Sequence, residues 1–270
     1  IPERCYDVGI AEQHAVTLAA GMSCQGLIPF CVIYSSFLQR SYDQIIHDVA
    51  IQNLNVVFCI DRAGIVGHDG STHHGVFDIA FLRCIPNITI VAPRNAERLR
   101  NFLYTFQSKT IGPVAIRYPK GYSEIEKINK KFKNLKLFKA KKIYSGRKIA
   151  VLSLGTLIEN VNKAINSSIF SNEFSHYSFE FISPLDEKSL HEVFKYHSYV
   201  ITFEDGTIKG GFGSSIIEFA QINNYKSRIE IVGVPHKFIS HGDIINIYDS
   251  INLSYEKIQS KLENSLRFFK

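Results

Sequence analysis

Tyr6 to Gln25 reads YDVGIAEQHAVTLAAGMSCQ, and the rest of the chain repeats its pattern. The apolar run from Cys5 to Ile10 is expected to form a strand that passes directly into a helix ending near Gly26. A strand feeding straight into a helix is the unit from which open parallel sheets are assembled. Glu12 falls in the first helical turn, where the positive end of the helix dipole favours a carboxylate.

The same alternation continues to about residue 120. Further strands are expected at 28–34, 54–60, 88–92 and 113–118, and helices at 36–51, 77–83 and 94–107. Runs such as VVFCI (56–60) and ITIVA (88–92) are apolar without alternation, as in strands covered on both faces. A polar, Lys-rich segment at 121–147 reads as a linker. A second alternating block then runs from 148 to 270, with strands at 148–154, 176–182, 198–204 and 229–234. Its helices are expected near 157–168, 186–196, 211–222 and 253–269. The expected fold is α/β, with two open, mainly parallel sheets and helices on both faces. The domains are 1–120 and 148–270.

Composition narrows the functional classes. The 270 residues are 45% hydrophobic and 21% charged, as expected of a globular protein, and no apolar run approaches the length that crosses a bilayer. The net charge of +6 concentrates between Lys120 and Lys148, where eleven Lys/Arg face only Glu124 and Glu126. The aromatics there form no RNA-binding signature, so neither a nucleic-acid nor a membrane partner is expected. None of the five cysteines forms a C-x-x-C pair. Cys5, Cys31 and Cys59 sit in expected strands, as small buried hydrophobes in a reducing compartment. The chain opens inside a strand-helix unit without an initiating Met and reads as part of something larger.

Ligands of open α/β sheets bind at the carboxyl ends of the strands. Glu12, Tyr34, Asp61 and Arg117 all fall at or just past such ends. Phe37 and Arg40 in YSSFLQR (34–40) lie three residues apart on one helix face. The loop DRAGIVGHDGSTHHG (61–75) is punctuated by Gly64, Gly67, Gly70 and Gly75, which lets Arg62, Asp69, His73 and His74 converge on a ligand. His68, Asp69, His73 and His74 have no standard zinc spacing, and no metal ligands are assigned. Arg40, Arg62 and Arg117 together would suit a phosphate, which guanidinium groups bind bidentately. KGGFGSS (209–215) lacks the P-loop lysine and reads as a tight turn before a helix.

Taken together, GIAEQHA, YSSFLQR, DRAGIVGHDGSTHHG and RYPKG (117–121) resemble the pyrimidine-binding half of a thiamine diphosphate enzyme of the transketolase family. The resemblance is strongest to the 1-deoxy-D-xylulose-5-phosphate synthases. It implies that Glu12 activates the cofactor by sharing a proton with its aminopyrimidine ring, and that Phe37 stacks on that ring. It also implies that Asp69 and His73 handle substrate and adduct, while Tyr34, Arg40, Arg62 and Arg117 hold the phosphorylated acceptor.

The reaction so implied joins pyruvate, with loss of CO₂, to D-glyceraldehyde 3-phosphate in a homodimer. It is the first step of non-mevalonate isoprenoid synthesis and also feeds thiamine synthesis. Such enzymes hold Mg²⁺ and the diphosphate through a GDG motif with a later Asn. GHDGS and HGDII do not supply that motif, so those ligands are expected in an N-terminal domain outside these residues, and the fragment alone is expected to be inactive.

The second block, with TFEDGTIKGGFGSS (202–215), resembles the transketolase C-terminal domain. Phe203, Glu204, Asp205 and His241 receive no role there. Rival readings are transketolase itself, the β subunit of a 2-oxoacid dehydrogenase, and a non-catalytic dimerisation module. A bacterial cytoplasm or a plastid-type organelle would suit the cysteine usage and the Lys, Asn and Ile richness.

Overall fold

The computed structural model describes residues 2–122 and 131–269, in which two five-stranded sheets are packed with helices. The first block supplies β1 (Phe30–Tyr34), β2 (Val57–Asp61), β3 (Thr89–Val91) and β4 (Val114–Arg117), all parallel. The second supplies β5 (Lys141–Tyr144), β6 (Ile149–Leu154), β7 (Phe174–Phe179), β8 (Phe181–Ser183), β9 (Tyr199–Thr207) and β10 (Arg228–Val234). The strand orders are β1-β2-β4-β3-β8 and β10-β9-β6-β7-β5. β4 and β6 are buried along their whole length and β2 up to Ile60, which their unbroken apolar runs require.

Two sequence expectations fail at the start of the chain. Residues 4–10 form no strand: Pro2–Arg4 is a single 3₁₀ turn, and Ile10 is 91% exposed. Gly9 takes a left-handed φ of 67°, and its N–H donates to Asp7 Oδ1 at 2.8 Å, a turn that an extended strand cannot contain. Cys5 is therefore exposed, as are Cys24 and Cys84, whereas Cys31 and Cys59 are buried; none of the five is in a disulfide. The helix expected at 36–51 is a composite over 35–50, with a 3₁₀ turn at Gln39–Ser41 and a π turn at Ile45–Ala50.

The two blocks are not simply strung on a linker. Residues 123–130 lie outside the described part, but the rest of the basic segment is structured. Leu135, Leu137 and Phe138 pack beside Phe102, Phe106 and Phe181, and Lys141–Tyr144 is an edge strand antiparallel to β7. Lysines are common on such edges because they discourage further strand pairing.

β7 leaves its sheet at Glu180, and β8 joins the other sheet antiparallel to β3. The Glu180 carboxylate accepts from Arg98 Nε at 3.0 Å and from the Arg94 N–H at 3.2 Å, and its carbonyl accepts from Ala92 N at 2.7 Å. One apolar cluster accordingly runs from Val16 and Ile45 in the first block to Leu152, Phe179, Val200 and Phe212 in the second. A shared core of this kind makes the two domains a single packing unit.

Candidate active site

β1, β2 and β4 are in register, so Tyr34, Asp61 and Arg117 arrive together at the carboxyl edge of the sheet. Beyond Asp61 the chain turns back on itself. Arg62 has φ 57°, and Gly64 (77°), Gly67 (81°) and Gly70 (75°) lie in the left-handed region that glycine enters freely. Gly64 and Gly75 exchange backbone hydrogen bonds of 2.7 and 2.8 Å that close the neck of the loop. Helix Glu12–Cys24 presents Glu12 from its first turn at the same edge.

Seven of the eight residues singled out by sequence form one chain of contacts there. Glu12, 8% exposed, accepts from Arg40 Nη1 at 3.0 Å. The Arg40 guanidinium lies 5.3 Å from the centre of the Phe37 ring. Phe37 stacks with Tyr34 at 5.5 Å between centroids and takes the edge of His73 at 5.2 Å. Arg62 covers the other aromatic, 3.8 Å from the Tyr34 centroid, and its Nε is 4.0 Å from Asp69 Oδ2. His73 is further fixed by Thr72, whose hydroxyl lies 2.9 Å from Nδ1.

Arg117 is the exception, and its placement corrects the expectation that it holds a phosphate. Its side chain is 2% exposed, with Nε on Asp78 at 2.9 Å and Nη1 on Asp205 at 2.5 Å. Burial works against its charge, but the two carboxylates more than offset that and hold its pKa above the ordinary guanidinium range. The guanidinium is committed to two carboxylates through Nε and Nη1, and its remaining nitrogen, Nη2, is buried rather than open to a ligand. Lys120, three residues on, is the cation that reaches the site instead: its Nζ lies 2.6 Å from Asp69 Oδ2. The hydrogen bond from Lys120 is the largest of several influences that hold the Asp69 carboxyl below its usual range. The signal for Lys120 was present in RYPKG, since the strand ends at Arg117 and Lys120 follows just past that end.

Comparison with known proteins identifies the family. The profile of the transketolase pyrimidine-binding domain matches residues 2–124, and that of the transketolase C-terminal domain matches 139–258. The chain belongs to the transketolase family. A 1-deoxy-D-xylulose-5-phosphate synthase of Azobacteroides pseudotrichonymphae is 48% identical over 260 residues, which is 96% of this chain and 41% of that protein. The synthase of the same name from Bacteroides fragilis is 47% identical over 270 residues, which is 99% of this chain and 42% of its own length. The chain thus spans about two-fifths of the curated relatives it matches.

Among solved structures, one titled a split gene transketolase, inactive beta4 tetramer, superposes with a TM-score of 0.85 at 24% identity, covering 99% of this chain and 85% of the other. The transketolase of Campylobacter jejuni superposes with a TM-score of 0.73 at 16% identity, covering 95% of this chain and 39% of that one. At these identities the likeness is one of fold.

Within this transketolase-family frame, the remaining residues of the loop divide clearly. His68 is exposed, whereas His74 is buried. The Val66 N–H donates to His74 Nδ1 at 3.1 Å, so the proton sits on Nε2, which faces the Ser240 carbonyl at 3.4 Å. Burial pushes the His74 pKa down, and the ring is a neutral fastener and not a ligand. Among the described residues no three of His, Cys, Asp and Glu come together as a metal-binding group.

A cleft of about 830 Å³ opens from Arg62 and Lys120, lined further by Arg94 and Asn95 of the first domain and by Thr156 and Asn160 of the second. A buried carboxylate, an aromatic pair and cations at the cleft mouth can bind a flat heterocycle on one side and an anion on the other.

Proposed function

We propose that this chain is the cofactor-activating and acceptor-binding part of a thiamine-diphosphate-dependent 1-deoxy-D-xylulose-5-phosphate synthase, a transferase of the transketolase type. The observation that carries the reading is the set of contacts from buried Glu12 through Arg40 to Phe37, then from Phe37 to His73 on one side and through Tyr34 and Arg62 to Asp69 on the other, with Lys120 beside Asp69. The names of its relatives support the same activity.

The donor set fits the aminopyrimidine end of the cofactor. Glu12 offers a carboxylate walled in by protein, and Phe37 an aromatic face beside it. Thiamine diphosphate, held with Mg²⁺ by residues outside this chain, supplies a stabilised carbanion for adding and decarboxylating pyruvate. Glu12 holds and returns a proton at the pyrimidine nitrogen, and Phe37 orients the ring. His73 donates to, or takes a proton from, oxygens of the bound substrate, and Asp69 fixes the orientation of the acceptor. Arg62 and Lys120 bind the phosphate of D-glyceraldehyde 3-phosphate, with Tyr34 holding Arg62 flat across its ring. Arg40 holds Glu12 in place from solvent, 55% exposed at its side chain, and is free to turn toward an incoming anion.

The assembled protein is read as a homodimer in a reducing compartment, either a bacterial cytoplasm or a plastid-type organelle. Five cysteines without a disulfide support the reducing compartment, with burial pushing the Cys31 and Cys59 thiols up to about 12.

The test uses the full-length protein that carries this chain, with pyruvate, D-glyceraldehyde 3-phosphate, thiamine diphosphate and Mg²⁺. Deoxyxylulose phosphate is expected as product, and Glu12→Gln is expected to lower kcat by about 10²–10⁴-fold while calorimetry still detects cofactor binding. Absence of that product with the cofactor bound would overturn the assignment.

A further inference from the structure

The loop that bears Asp69 and His73 belongs to the first domain but is held by the second. Asp205, on β9, accepts from Arg117 and lies so close under Gly64 that a Cβ there would come within 2.8 Å of its Oδ2. Two residues on, the Thr207 N–H donates to the Val76 carbonyl at 2.8 Å, just past the end of the loop. A separate segment grips the other shoulder. The Gly242 N–H donates to the Gly67 carbonyl at 3.3 Å, and the Ser240 carbonyl faces His74 Nε2. The His241 Cβ would meet a Cβ on Gly70 at 3.1 Å, and Ile244 packs at Gly67. The loop is therefore clamped at its neck and at its tip by two unconnected pieces of the C-terminal domain, and Asp69 and His73 lie between the clamps. Loops of glycine-punctuated sequence hold no fixed shape by themselves, so the ordering comes from these contacts.

We propose that the C-terminal domain positions the acceptor-binding loop of this site, with Asp205 as the positioning residue at the neck and segment 240–244 at the tip. The kinetic part of this inference rests on the activity proposed above; the structural part does not.

The experiment is carried out on the full-length protein with thiamine diphosphate and Mg²⁺, comparing wild type with Asp205→Asn and with Gly242→Pro, which removes the N–H that donates to the Gly67 carbonyl. Gly242 lies outside the buried ion pair, so the second variant keeps the test open should loss of the Arg117 partner prevent folding. Amide exchange over 61–76 is expected to rise by about tenfold or more, while helix Glu12–Cys24 exchanges as before. In the same preparations kcat/KM for the phosphorylated aldehyde is expected to fall by about 10–100-fold, with the cofactor Kd within about twofold of wild type.

Unchanged exchange in the loop, or an equal rise in helix Glu12–Cys24, would overturn the proposal. So would a loosened loop with kcat/KM unaltered. Should the wild type form no deoxyxylulose phosphate, the activity reading falls, and the exchange data alone decide whether the second domain holds the loop.

Discussion

Arg117 Nη1 donates to Asp205 Oδ1 at 2.5 Å, joining the end of β4 in one domain to the carboxyl-terminal part of β9 in the other. With Nε on Asp78, the guanidinium bridges two buried carboxyl groups across the domain boundary; its single charge offsets one of them, and burial raises the pKa of Asp78.

Arg117 and Lys120 should therefore separate cleanly in mutagenesis. Removing one partner of a buried ionic group strands the others, at a cost of about 3–5 kcal/mol. Arg117→Ala is expected to lose that much by urea denaturation. Lys120→Ala removes a half-exposed pair and should change stability by less than about 1 kcal/mol. It should instead raise KM for the phosphorylated aldehyde about tenfold or more, the worth of one charge-assisted hydrogen bond. An Arg117→Ala variant of normal stability with a raised KM would restore Arg117 to the phosphate.

Glu204 is the neighbour of Asp205 and is fully buried. Its Oε2 accepts from the Phe212 N–H and its Oε1 from the Gly213 N–H, both at 2.8 Å. These bonds cap the helix that follows the KGG turn, which explains why that glycine cluster needs no ligand: a Cβ on Gly211 would strike Glu204 Oε2 at 2.1 Å. Glu204→Gln would set an amide NH₂ against one of the two donors and is expected to destabilise by about 1–3 kcal/mol. Differential denaturation of the variant against wild type measures it, and an unchanged midpoint would show that one oxygen suffices.

Stability should fall on acidification. Burial lowers the pKa of His74, His176 and His197, that of His176 from 6.5 to about 3. A base that is harder to protonate when folded takes its proton first in the unfolded chain, so acid favours unfolding as pH falls from 6.5 toward 3. Glu204 works the other way. Burial raises its carboxyl from 4.5 to about 8, so its contribution is fully present below 4.5 and is lost as pH rises through 8. Each group that titrates alone changes stability by about 1.4 kcal/mol per pH unit. His176→Gln keeps a partner for Ser153, whose hydroxyl lies 2.5 Å from His176 Nε2, but removes the titration. The slope of unfolding free energy between pH 6.5 and 4.5 should drop by about one proton in that variant. An identical slope would exclude His176 as a contributor.

Much of the architecture is written locally. The apolar runs at 56–60 and 149–154 can only be strands covered on both faces, and the strand ends then place Tyr34, Asp61 and the glycine loop together. Asn95 and Asp186 cap their helices through side-chain bonds to Arg98 N and Ser189 N, a signal carried within four residues.

What the sequence determined by itself was the alternation of strand and helix, and with it which residues lie at the carboxyl edge. Periodicity is a local property, and burial of an apolar run does not depend on which partner covers it. Tertiary structure alone decided the partners. It turned Arg117 inward to Asp78 and Asp205, brought Lys120 to Asp69, and paired Arg40 with Glu12. It left residues 5–10 without a sheet neighbour and sent β8 across to the other sheet. Which charge meets which depends on contacts between residues as far as 135 positions apart, as for Arg83 and Glu218, a relationship that no local pattern of apolar and polar residues encodes.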